Sequence, residues 1–112
     1  RPQPMPECRT ARIRDLNDHA RRSFTGCRVV ITPGIQSLAD VPAVLDQVRW
    51  YDAFTPHNDP YGEHDFGSFH CGDAHVFWQF SYYDLDLQQH SPDSSDPAVT
   101  ARVLTVMLAE EY

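Results

Sequence analysis

A chain of 112 residues with 41% hydrophobic and 12% aromatic side chains is sized for one domain that buries roughly two thirds of its unfolded-chain surface. No stretch approaches the ~20 apolar residues of a membrane span, and the N-terminus lacks the charged-then-apolar layout of a signal peptide. The net charge of −7 is lopsided: residues 1–28 carry seven arginines against three acids, a net of +4, whereas residues 29–112 carry two arginines against thirteen acids, a net of −11. Such asymmetry bears on association and partner choice rather than on fold. The acidic body disfavours direct phosphate binding, except through the arginine-rich N-terminal segment, where Arg14, Arg21 and Arg22 fall on one side.

The first six residues are expected to be flexible. Residues 7–24 then show helical periodicity, with Ile13, Leu16, Ala20 and Phe24 on the apolar side, Arg14, Asp18, Arg21 and Arg22 opposite, and Gly26 as terminator. Cys27 to Thr32 is a short β-branched run closed by Pro33-Gly34, which predicts a strand. A second helix is predicted over 42–54, opened by Asp40 or Pro42, with Val44, Leu45, Val48 and Tyr51 on its apolar side. Two strands flank Gly72-Asp73, a pair suited to a type II′ turn. In that register Cys71 faces Ala74, Phe69 faces Val76, Gly67 faces Trp78 and Asp65 faces Phe80, all on one apolar side. The other side pairs His64 with Ser81, Phe66 with Gln79, Ser68 with Phe77 and His70 with His75. Gly67 leaves room for the indole of Trp78. Asp96-Pro97 reads as the start of a last helix over 97–110, with Val99, Val103, Val106 and Met107 inside. The expectation is therefore an α+β domain covering 1–112: a small antiparallel sheet (hairpin 64–84 plus strand 27–32) against about three helices (7–24, 42–54, 97–110).

The segment Asn58-Asp59-Pro60-Tyr61-Gly62-Glu63-His64-Asp65-Phe66-Gly67 is the richest in chemistry. Asn58 or Asp59 can bond the backbone ahead, Pro60 presets a turn and Gly62 supplies a positive φ. Strand alternation would direct His64 away from Glu63 and Asp65. Asp65, on the apolar side, needs a partner, such as an arginine of the first helix or a backbone cap in the 84–96 loop. The structural reading is a turn and an internal carboxylate that pin the loop to the body. The functional reading is a metal or acid/base site built from Asp59, His64 and Asp65. His70 and His75, opposed on the outer face, could share a metal ion but lack the four ligands of a structural zinc site. Three scattered cysteines (Cys8, Cys27, Cys71) suggest buried thiols in a reducing cytoplasm rather than a disulfide framework. Phe66 and Phe77, on the nominally outer face, are either covered by another element or form a binding patch.

The stretch Asn58 to Gly67 resembles the signature of a family of uncharacterised small bacterial proteins, a domain of unknown function. Residues Ile13 to Asp18, Val76-Phe77-Trp78, Tyr82-Tyr83-Asp84, Ser91-Pro92-Asp93 and Arg102 to Ala109 agree with it, so that the resemblance spans residues 13–112. It implies no known activity. Members look like accessory genes of plasmids and other mobile elements, which implies a role against host defence. The family carries an acidic residue ahead of Asn-Asp-Pro where this chain has His57, which argues against a catalytic His57.

The leading expectation is a non-enzymatic acidic protein, without a cofactor, that inhibits a bacterial nucleic-acid-handling defence complex by protein contact. Its candidate binding residues are Asp59, Tyr61, His64, Phe66, Phe77 and Tyr83, and a homodimer through the spare hairpin face is a further expectation. The rival is a metal-dependent hydrolase or nuclease using Asp59, His64 and Asp65.

Overall fold

The computed structural model describes residues 6–112, with side chains from Cys8 onward; the expected flexible segment 1–6 falls outside this range apart from Pro6. The elements in chain order are α1 (Pro6–Ser23), β1 (Arg28–Ile31), the single turn α2 (Pro33–Gln36), α3 (Val41–Arg49), β2 (Phe66–Cys71), β3 (Ala74–Tyr83), β4 (Ala101–Leu108) and a 3-10 turn, Ala109–Glu111. The fold is α+β, and the sheet is mixed, in the order β1-β4-β3-β2, with only the β1–β4 pair parallel. No helix among the described residues is long and apolar enough to cross a membrane.

The hairpin has the expected register from Phe66–Gln79 to Cys71–Ala74. Gly72 takes a φ of 60° while Asp73 stays out of the left-handed region, the pattern of a type II′ turn. A Cβ on Gly67 would collide with the indole of Trp78, so the glycine is the slot into which that ring packs. The strands begin only at Phe66, however. His64 has a φ of 52°, and this left-handed turn takes it off the outer face, where simple alternation would place it opposite Ser81.

The last predicted helix is not formed. Residues 97–110 instead supply β4, which lies between β1 and β3. A central strand is covered on both faces along much of its length. Its sequence therefore loses the alternation of a half-exposed strand and becomes a continuous apolar run, indistinguishable by period from a buried helix. Asp96 does accept from the Ala98 amide (2.9 Å), but this turn does not propagate. The β-branched Val103, Thr105 and Val106 favour the extended state.

Two further boundaries differ. α3 ends at Arg49, with Asp40 capping the Ala43 amide at 3.1 Å as expected; residues 51–54 run on outside it. In α1 the buried stripe includes Asn17 and Arg21, not only the apolar positions, so Arg21 is interior rather than on the solvent side with Arg22. Phe24, at φ 55°, takes the left-handed position just past the helix. The core comprises Ala20, Ile35, Val44, Val48, Val76, Trp78, Phe80, Leu104 and Val106, between the helices and one face of the sheet. All three cysteines are free thiols; Cys8 is exposed, contrary to expectation, and Cys27 and Cys71 are half-buried.

Candidate functional site

The site begins with helical spacing. Arg14, Asn17, Asp18 and Arg21 recur every three or four residues, so one stripe of α1 presents them together to the segment running from α3 into β2. Arg21 is fully buried. Its Nη1 donates to the carbonyls of Val48, Arg49 and Tyr51, each at 2.9 Å, two of them in the last turn of α3. A cation there answers both the unpaired carbonyls and the negative end of the helix dipole. The guanidinium also lies 4.9 Å from the Trp78 ring and 5.5 Å from that of Phe54. Burial pulls its pKa down, opposed by Asp18; Nη2 donates to Asp18 Oδ1 at 3.1 Å.

Asp18 in turn holds His64, with Nδ1 2.9 Å from Oδ1 and 3.2 Å from Oδ2. A carboxylate only accepts, so Nδ1 carries the proton. Nε2 is left turned toward Asp59 Oδ2, 3.6 Å away. The imidazole stacks on Phe54 at 3.7 Å with an interplanar angle of 2°. His64 is thus fixed on both edges and one face, with 24% of its side chain exposed against 6% for Asp59.

The loop ahead of it is tied down residue by residue. The Thr55 amide donates to Asn58 Oδ1 at 2.8 Å, the Asn58 amide to Thr55 Oγ1 at 3.1 Å and Asn58 Nδ2 to the Ala53 carbonyl at 2.9 Å. The His64 amide donates to Asp59 Oδ1 at 3.3 Å, and Gly62, at φ 69°, makes the turn that a bulkier residue would strain. Arg14 reaches the Gly62 carbonyl at 3.4 Å. Together with Thr10, these groups line a surface recess of about 630 Å³ over Phe54, Asp59 and His64. On its rim stands Tyr61, 79% exposed.

Behind the recess runs a second polar chain. Arg102 Nε donates to Asn17 Oδ1 (2.7 Å), Asn17 Nδ2 donates to the Tyr82 hydroxyl (2.8 Å) and to the Glu63 carbonyl (3.0 Å), and Tyr82 donates to Glu63 Oε1 (3.1 Å). Burial raises the Tyr82 pKa and lowers that of Arg102. Among the described residues Asp65 finds neither an arginine nor a cap from the 84–96 loop, and none of their side chains or backbone groups bonds its carboxylate. Burial first, then the neighbouring Glu63 and Asp59, push its pKa up.

Of the expected site residues, the structure brings Asp59, Tyr61 and His64 together. Phe66, Phe77 and Tyr83 lie on the outer face of the sheet, where the Phe66 and Phe77 rings meet each other at 5.1 Å and Tyr112 at 5.9 and 5.5 Å. His70 and His75 stack at 4.3 Å on the same face, with Ser68 Oγ 3.1 Å from His75 Nε2. Asp18 and Phe54 were not anticipated as partners of His64, nor Arg21 as the partner of Asp18; the only trace in the sequence is the Asp18–Arg21 spacing of three. For a metal, His64 and Asp59 supply two ligands, because Asp18 lies on the opposite edge of the imidazole. No group of three or more His, Cys, Asp or Glu fit to hold an ion occurs among the described residues.

Residues 31–111 match the family described as Protein of unknown function (DUF3768). The chain belongs to that family. The matched stretch contains Asn58 to Gly67 but begins beyond the Ile13–Asp18 block of α1. No curated protein and no solved structure matches the chain.

Proposed function

We propose that this DUF3768 protein is a non-enzymatic binding protein that engages a protein partner through the Thr55–Gly62 loop. The observation that carries this reading is Tyr61, 79% exposed at the tip of a loop whose backbone is fixed by Asn58, Asp59 and Arg14. A preorganised loop loses little entropy on binding, and tyrosine is among the residues that dominate interface energies.

The charge distribution supports a partner that handles nucleic acid. Of the two arginines in residues 29–112, Arg102 is 4% exposed and spends its donors on Asn17 and Ser94. Most of the thirteen acids of that region therefore stand at the surface with little cationic relief. Such a surface competes for sites meant for phosphate, as an inhibitor of a bacterial defence complex in the cytoplasm would. Direct nucleic-acid binding through α1 loses Arg21 to the interior and Arg14 to the Gly62 carbonyl. The rival, a metal-dependent hydrolase using Asp59, His64 and Asp65, has the His64–Asp59 pair as its support but lacks a third ligand on that side.

The test is retention of a bacterial lysate on immobilised protein, with salt titration and parallel Tyr61→Ala and Tyr83→Ala columns. A basic nucleic-acid-binding protein should be retained by wild type and Tyr83→Ala, released as salt rises and lost from Tyr61→Ala. No basic protein retained at low salt, or one indifferent to Tyr61→Ala, would sink the proposal. For the rival, divalent ions should raise Tm in wild type but not in His64→Ala.

A further inference from the structure

We infer that two copies of this chain associate face to face through the helix-free side of the sheet. The strand registers define that side. Arg28, Val30 and Thr32 project from the β1 edge, Ala101, Val103, Thr105 and Met107 from β4, His75, Phe77, Gln79, Ser81 and Tyr83 from β3, and Phe66, Ser68 and His70 from β2. Among these described positions there is no carboxylate, and Arg28, at the margin, is the one residue of fixed charge. The chain as a whole holds sixteen acids. Glu111 reaches the β1 margin of this face, where its Oε1 accepts from Thr32 Oγ1 at 2.7 Å, and Asp73, Asp84 and Glu110 flank the strand ends.

An uncharged centre with charges at its edge is the layout of a protein interface. Here it also selects the occupant. Two chains of net charge −7 repel wherever their acids meet, and this face is where they approach without opposing carboxylates. A basic partner, by contrast, would be drawn to the acids elsewhere. A two-fold axis brings the same patch of each copy together, with the exposed Tyr112 ring over the half-buried Phe66 and Phe77 at its centre, Val103 and Met107 already buried beneath, and sheets ~10 Å apart. Four strands at ~4.8 Å and about six residues at ~3.3 Å give a footprint of roughly 400 Å² in projection. That is below the ~800 Å² per partner of a standard interface, so the dimer is weak and populated only at high protein concentration.

Sedimentation velocity on the full chain from about 5 to 500 μM tests for such a dimer. The weight-average mass should climb from 12.8 kDa toward twice that value. Raising the salt should strengthen association, because it screens the like charges. Phe77→Asp and Thr105→Glu should each hold the protein monomeric with an unchanged circular dichroism spectrum. Tyr61→Ala should associate as wild type does, which separates this face from the partner-binding loop. Should Phe77→Asp fail to fold, Thr105→Glu decides. A wild type that stays monomeric at the highest concentration in high salt overturns the inference, as does association that persists in folded Thr105→Glu.

Discussion

On the helix-covered face of the sheet, Arg21 and Arg102 lie buried beside Trp78 and Tyr82; on the opposite face the half-buried Phe66 and Phe77 meet an exposed Tyr112, and no strand position carries an acid. The usual arrangement of charge outside and apolar groups inside is thus partly exchanged. The exchange works because each interior charge has dedicated partners: three carbonyls and a carboxylate for Arg21, an amide and a carbonyl for Arg102. A buried ion with a single fitting set of acceptors fixes where α1, α3 and the 50–65 segment must sit. It acts on position more than on net stability. The outer face carries no such constraint, and substitutions there should be read in association rather than in folding.

The sharpest way to break the contrast is Arg21→Ala. It strands three carbonyls and Asp18, and should cost about 3–5 kcal/mol, seen as a large fall in Tm or in the urea midpoint. Gly67→Ala should cost about 1–3 kcal/mol by overpacking against Trp78, read in the same denaturation and in Trp fluorescence. Asp65→Asn works in the other direction. The folded-state pKa of Asp65 is raised above its ordinary 3.8, so the ionised form is destabilising and the penalty is complete once pH exceeds the raised value. The variant should have the higher Tm near neutral pH, with the gain shrinking as pH falls toward 3.8; an equal Tm throughout would show that Asp65 is solvated. The smallest effect belongs to the open face, where Thr105→Glu should shift stability by no more than about 0.5 kcal/mol in monomeric protein.

Much of the framework was legible in the sequence. The β2–β3 register could be read pair by pair, because a two-residue turn with Gly72 first fixes alternation on both arms. Asp40 and Pro42 marked the start of α3. β4 was misread because a strand buried on both faces offers no period of two, and Asp96-Pro97 suits a helix start as well as a turn. In the site, Asp59, Tyr61 and His64 lie together around one recess, whereas Phe66, Phe77 and Tyr83 fall on the other side of the sheet; the first three are close in the chain. Their link to α1 was not legible, since the Asp18–His64 contact spans 46 residues, and a left-handed His64 leaves no mark comparable to a glycine.

The placement of Arg21 bears on where the cooperative unit of this family begins. The family match starts at Ile31, yet the end of α3, the Phe54–His64 stack and the Glu63 carbonyl are all held by residues of α1. Residues 31–112 alone would keep β4 but lose three of the four residues of β1 and the whole of the helix whose Ile13 and Ala20 are buried. A fragment cut at the family boundary would therefore behave as a collapsed, protease-sensitive chain. The smallest piece able to refold by itself includes α1.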